Sequence, residues 1–293
     1  MAILKAYFDD SGADKRSDDR LLTIAGYVST VELWEKFDEA WDTALGEFDY
    51  LHMKEFGDPN GIYKSVKCDP KKEAAFMGGL VEIIAENTRM GVHTTVMLDD
   101  LRRFNREHNR HLNPYALAIH GCISMLQWKF PTVEIEVYFD KFDRASSLVE
   151  EGLSYTESDV YQPLKPNLLP VATPIRKDET FKSVRPIQAA DLLAWEMRKL
   201  LFDRLTWING RDFFQLSRRA VLESYARWVQ EHTEKFGKQP RNRKSFLALR
   251  NGTRPNGYVF NYENLELLEK RHVHGWKVTR DRGLIVFSEG KFV

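Results

Sequence analysis

Two short segments far apart in the chain constrain its fold more than any other feature. Leu4-Lys5-Ala6-Tyr7-Phe8-Asp9 and Val133-Glu134-Ile135-Glu136-Val137-Tyr138-Phe139-Asp140 both alternate between two kinds of side chain, and both end in aspartate. Alternation with a period of two marks a strand, which sends successive side chains to opposite faces. In the first segment Lys5, Tyr7 and Asp9 share one face while Leu4, Ala6 and Phe8 share the other. In the second, Glu134, Glu136, Tyr138 and Asp140 oppose Val133, Ile135, Val137 and Phe139. If the two are parallel neighbours, about 4.8 Å apart, the terminal carboxylates lie side by side at the carboxyl edge of the sheet. Open α/β sheets bind ligands at that edge, and two such carboxylates repel unless a cation bridges them.

The remaining pattern places these strands in a layered α/β structure. Ile3 to Asp9 reads as a strand, Asp10-Ser11-Gly12 as a turn and Leu21 to Ser29 as a second strand, which together make an N-terminal hairpin. Thr30 is placed to cap a helix whose apolar face carries Trp34, Phe37, Trp41 and Leu45. Further helices are expected over about 70–86, 114–128 and 144–153, with strands over 91–98 and 133–140 and an extended stretch over 168–175. Pro186 suits the first turn of a helix running to about Asp203. Strands alternating with helices after a hairpin predict a mixed sheet, antiparallel at the start and parallel later, flanked by helices. From about Arg211 the character changes to a long amphipathic helix and then to a basic stretch, Lys235 to Arg254, with seven Lys or Arg and no acid. The expected organisation is therefore a main domain over 1–205 and a helical, basic extension over 206–293 packed on it.

Charge and composition narrow the function classes. The 43 basic and 43 acidic residues cancel to a formal charge of +0, so any affinity for a polyanion must be local. Arg241, Arg243 and Lys244, near Phe236 and Phe246, are candidates for tracking a phosphate backbone by charge and stacking; a solvated basic face is the plainer alternative. Cys68 and Cys122 are isolated, which argues against a disulfide framework. His108 and His111 lack the spacing of a zinc hydrolase. With no long apolar run and no charged leader, the chain reads as soluble and cytoplasmic with no membrane association. Nothing in the sequence fixes the oligomeric state.

A third acid stands out in Pro186-Ile187-Gln188-Ala189-Ala190-Asp191-Leu192-Leu193-Ala194-Trp195. Asp191, among small and apolar neighbours, is costly to bury unless it meets a cation, a donor or water, and Gln188 lies one turn earlier on the same face. Pairing of Asp191 with Arg185 or Arg198 is the alternative. His52 and Glu55, one turn apart if helical, would put a proton-transfer group or an outer ligand nearby, or would simply begin a surface helix. The tryptophans Trp34, Trp41, Trp128, Trp195 and Trp228 fall within helical patterns and read as core or interface anchors.

The Phe8-Asp9-Asp10-Ser11-Gly12 turn, the Gly26-Tyr27-Val28 strand, Leu51-His52-Met53-Lys54-Glu55, Val137-Tyr138-Phe139-Asp140 and Ile187 to Ala194 together resemble the domain-of-unknown-function family 3800, over roughly residues 1 to 205. That family is regarded as ribonuclease H-like, and its commoner turn has Glu where Asp10 stands here. The resemblance implies an acidic cluster of Asp9, Asp140 and Asp191, with Asp10 or Glu55 as a fourth member. Such a cluster suits Mg²⁺ or Mn²⁺, because metal-assisted phosphodiester hydrolysis needs hard oxygen ligands converging from separate elements. A metal-dependent nuclease acting on DNA or RNA is the leading expectation. An inactive ribonuclease H-like scaffold that binds nucleic acid or protein, and a hydrolase of small phosphorylated molecules, are the alternatives.

Overall fold

The computed structural model describes residues 4–12, 20–140, 145–154, 184–208, 256–260, 277–281 and 284–288, with isolated positions at 230, 234, 265 and 266. Strand β1 (Leu4–Ser11) pairs antiparallel with β2 (Leu21–Thr30), and β2 pairs antiparallel with β3 (Met90–Met97). Strand β4 (Ile135–Phe139) lies on the other side of β1 and runs parallel to it, with Lys5 beside Glu136, Tyr7 beside Tyr138 and Phe8 beside Phe139. On the far edge β5 (Asn256–Phe260) joins β3 in parallel, followed by β7 (Leu284–Ser288) and β6 (Lys277–Asp281), giving the order β4-β1-β2-β3-β5-β7-β6. This is the predicted mixed sheet, antiparallel at its start and parallel later. Strands β1, β3, β4 and β5 all point the same way and share one carboxyl edge.

One local expectation is corrected. Asp10 and Ser11 continue β1 instead of forming a turn, because β2 supplies partners as far as Ser11 opposite Thr23. The chain breaks away at Gly12, whose φ of 109° is open to glycine. A Cβ there would lie 2.3 Å from the Leu21 carbonyl oxygen and 2.9 Å from Arg198 Nε.

Helices cover both faces of the sheet. On one face α5 (Leu98–Glu107), α6 (Pro114–Lys129) and α7 (Ala145–Ser154) enclose a core that takes Leu4, Ala6 and Phe8 from β1 and Ile135, Val137 and Phe139 from β4. On the other, α1 (Val31–Leu45), α4 (Pro70–Asn87) and α8 (Arg185–Ile208) pack over β1 and β2 with the short helices α2 (Met53–Phe56) and α3 (Lys64–Lys67). The more polar face of β1 is therefore covered as well. Tyr7 stacks on Tyr138 at 4.9 Å and meets Trp34 of α1 edge-on at 5.3 Å, while the Trp34 indole donates to the Lys5 carbonyl at 2.9 Å. At the opposite end of the strands from the aspartates, Lys5 pairs with Glu136 at 3.5 Å.

The helix starts are where the sequence placed them. The hydroxyl of Thr30 accepts from Leu33 N, and Asp69 and Asn113 cap α4 and α6 in the same manner, each with proline in the first turn. Trp34 and Trp41 are buried anchors, whereas Trp128 is exposed near the end of α6, past the part of the helix that faces the sheet. The expected extended stretch over 168–175, the helix from Arg211, Trp228 and the basic stretch 235–254 lie outside the described residues. Three strands from the C-terminal part of the chain, β5, β6 and β7, extend the sheet where the sequence pattern does not announce them. Among the described residues no helix is long and apolar enough to cross a membrane.

Candidate active site

Backbone pairing, continued one step past β4, puts the first two acids together. Asp140 N donates to the Phe8 carbonyl at 2.8 Å, so Asp140 follows the register and stands beside Asp9 at the carboxyl edge. Helix α8 crosses this edge over β1 and β2 and brings down Asp191. Asp9 and Asp191 are both buried, with 8% and 7% of their surface exposed. Asp10, next along β1, faces the other side of the sheet, where its Oδ2 accepts from the Tyr115 hydroxyl of α6 at 3.3 Å.

The electrostatics bind these four acids into one group. Burial pushes the Asp9 carboxyl well above the usual carboxylate range, and the charges of Asp191, Asp140 and Asp10 push it further. Burial likewise raises Asp191 to about 7; the Met53 amide and the charge of His52 counter this, while Asp140 and Asp10 add to it. Asp10 rises to about 6 by burial, eased by the Tyr115 hydroxyl and reinforced by Asp140. Asp9, Asp140 and Asp191 thus come together as the sequence placed them, and Asp10 joins from the opposite face. A strand end exposes both faces of its last residues to the same edge, which the parity argument alone does not convey.

A polar clamp from α8 holds the segment before α2 against this group. Gln188 is fully buried, and its Oε1 accepts from Leu51 N and from the Trp41 indole of α1, each at 2.9 Å. One turn later Asp191 Oδ2 accepts from Met53 N at 2.6 Å. Alternate amides of Leu51-His52-Met53 are therefore fixed to one face of α8, with His52 between them as the N-cap residue of α2. Glu55 does not point its charge into the aspartates. Its Oε2 accepts from the Tyr50 hydroxyl at 2.6 Å and its Oε1 lies 3.4 Å from His52 Nδ1. The Tyr63 hydroxyl closes the arrangement, donating to the Tyr50 carbonyl and accepting from His52 N at 3.2 Å. Sequence reasoning did not find Tyr50, Tyr63 or Tyr115; no local pattern distinguishes them from other tyrosines. Arg185, weighed as a partner for Asp191, instead bonds Asp42 and reaches the Asp49 carbonyl.

Among the described residues no group of three or more His, Cys, Asp or Glu side chains is already arranged to hold a metal ion. The chemistry of the donors nevertheless suits a hard divalent cation. Asp9 Oδ1 accepts from Asp10 N at 2.7 Å and Asp191 Oδ2 from Met53 N, so each carboxylate is oriented by one oxygen and has a second to offer. Like charges gathered in a buried place are what a cation relieves. Arg241, Arg243 and Lys244 lie outside the described residues.

Fold and site together define an α/β protein with an acidic cluster at the carboxyl edge of a mixed sheet. No family model and no curated protein matches the chain. Among solved structures it is similar to the ribonuclease H2 of Pyrococcus horikoshii OT3, with 13% identity over 92% of this chain and 99% of that one and a TM-score of 0.34. A superposition of that quality bears on neither fold nor function, and the architecture rests on the strand order and register described above.

Proposed function

We propose that this chain is a metal-dependent nuclease that hydrolyses phosphodiester bonds of DNA or RNA, with Asp9, Asp140 and Asp191 holding Mg²⁺ or Mn²⁺. The observation that carries this reading is the convergence of four carboxyl groups at one sheet edge, where the strongest charges acting on Asp9 are negative. Burying acids together costs free energy, and a fold that does so at a ligand-binding edge has a use for a cation there. The cation, when bound, supplies charge stabilisation at the phosphate and acidifies water. The chain's own contribution is to orient the ligands: the Asp10 amide sets Asp9, the Met53 amide sets Asp191, and Gln188 keeps α8 in place against residues 51–53. Asp10, on the far face but within reach of the Asp140 charge, is the fourth acid of the group in this reading.

The test is cleavage of single-stranded, duplex and hybrid DNA and RNA in Mg²⁺ or Mn²⁺, with Asp9→Asn and Asp140→Asn prepared in parallel. Loss of a ligand should lower cleavage by about 100-fold or more, since even outer partners of metal ligands are worth 10–100-fold. Equal cleavage by the variants would mean a contaminating nuclease, and absence of cleavage with every substrate would sink the proposal.

A further inference from the structure

The aspartates form the floor of the site, but His52 stands at its rim. About a third of the His52 side chain is exposed, against 8% of Asp9 and 7% of Asp191. Its backbone is held on both sides, by the Leu51 amide on Gln188 and the Met53 amide on Asp191. Its ring is held as well. A carboxylate only accepts hydrogen bonds, and Glu55 already takes the Tyr50 hydroxyl on Oε2, so the 3.4 Å contact of Oε1 with Nδ1 places the Nδ1 proton toward Glu55. Nε2 is then the nitrogen turned to whatever enters the site. A ring nitrogen presented by a carboxylate behind it is the arrangement that fixes the tautomer of a proton-transfer histidine.

We infer that His52 gives a proton from Nε2 to the departing oxygen of the cleaved phosphodiester, and that Glu55 and Tyr50 are its positioning residues. This rests on the nuclease reading above. As the oxygen of water bonds to phosphorus, the bond from phosphorus to the leaving nucleoside oxygen breaks with its electron pair on that oxygen, which takes the proton. The proton lost by the attacking water passes to solvent, and the imidazole regains its own from solvent. The floor acids do not have this role, because a group holding a cation is not at the same time a proton donor.

The experiment compares two leaving groups under one set of conditions. An alkoxide leaving from DNA or RNA needs a proton, whereas p-nitrophenolate leaving from thymidine 5′-(p-nitrophenyl phosphate) does not. His52→Asn should lower kcat on the polynucleotide by about 100-fold or more, in the range typical of general acid catalysis, and change cleavage of the p-nitrophenyl ester by less than about 5-fold. Glu55→Gln and Tyr50→Phe should show the same selectivity with smaller losses, and they leave the ring in place should His52→Asn fold poorly. Equal losses on both substrates, or none on either, would overturn the assignment. Asp9→Asn should abolish cleavage of both esters; if it cleaves both as the parent does, the nuclease reading falls and the role of His52 falls with it.

Discussion

At the scale of single residues, Gln188 and the aspartates make opposite contributions to stability. Gln188 satisfies two buried donors that have no water to turn to. Gln188→Leu should therefore destabilise the protein by about 2–5 kcal/mol, since each stranded donor costs roughly 1–3 kcal/mol; chemical denaturation would measure it. The aspartates stand in the folded state with pKa values above those of the unfolded chain, so folding favours their protonated forms. The penalty is absent below the unfolded value of about 4 and is complete above the folded values, about 6 for Asp10 and about 7 for Asp191. The metal-free protein should accordingly lose thermal stability between about pH 4 and pH 7, and Asp9→Asn should flatten that slope. Mn²⁺ should raise the melting temperature at pH 7.5 in the parent and much less in Asp9→Asn, and the gain should shrink as acid protonates the ligands. A melting temperature indifferent to both pH and Mn²⁺ would contradict the cluster.

At the scale of elements, two helices and one strand illustrate why a given glycine is tolerated or required. Gly78 and Gly79 sit in the middle of α4, and a Cβ at either would meet nothing within 4 Å. Helical glycine costs about 0.8–1 kcal/mol relative to alanine, so Gly78→Ala or Gly79→Ala should stabilise by about that amount in a denaturant titration. Gly26 is the reverse case. It lies in the centre of β2 opposite Phe8, and a Cβ there would come within 1.8 Å of the Tyr7 carbonyl oxygen. Because that contact is with backbone, β1 itself would have to move, and β1 carries Asp9. Gly26→Ala should cost on the order of 4 kcal/mol, at the upper end for a single substitution, and should weaken Mn²⁺-induced stabilisation as well. Helix α8 has the most varied task, since Gln188 and Asp191 fix residues 51–53 while Ala189, Leu192, Leu193 and Ala194 pack the core beneath.

At the scale of the whole molecule, the sheet does not end with the main run of helices. β5 covers the outer edge of β3, and Phe260 and Leu265 enter the same core as Val92, Val96 and Phe8. A chain ending after Ile208 would bare that edge and remove those side chains, and an uncovered strand edge pairs with other molecules. Such a truncated chain should be less soluble and should melt at a lower temperature than the full chain, as size-exclusion chromatography and thermal scanning would record. A monomeric, equally stable truncation would mean that residues after 208 only decorate a complete domain. The contact of His108 Nε2 with Glu266 Oε1 at 2.5 Å ties the same C-terminal segment to α5.

The sequence by itself determined the periodic elements, the capped helix starts of α1, α4 and α6, the mixed sheet and the pairing of Asp9 with Asp140, because alternation, caps and terminal residues are local properties that the chain carries in order. It also placed Asp191 on a helix that had to meet the sheet, since an acid among apolar neighbours demands a partner. Tertiary structure alone decided that Asp10 joins the acids from the far face, that Glu55 turns away to Tyr50 and His52, and that residues 256–260 complete the sheet beside β3. Each of these depends on contacts between segments tens to hundreds of residues apart, and no period or spacing within a segment encodes which distant surface it will meet.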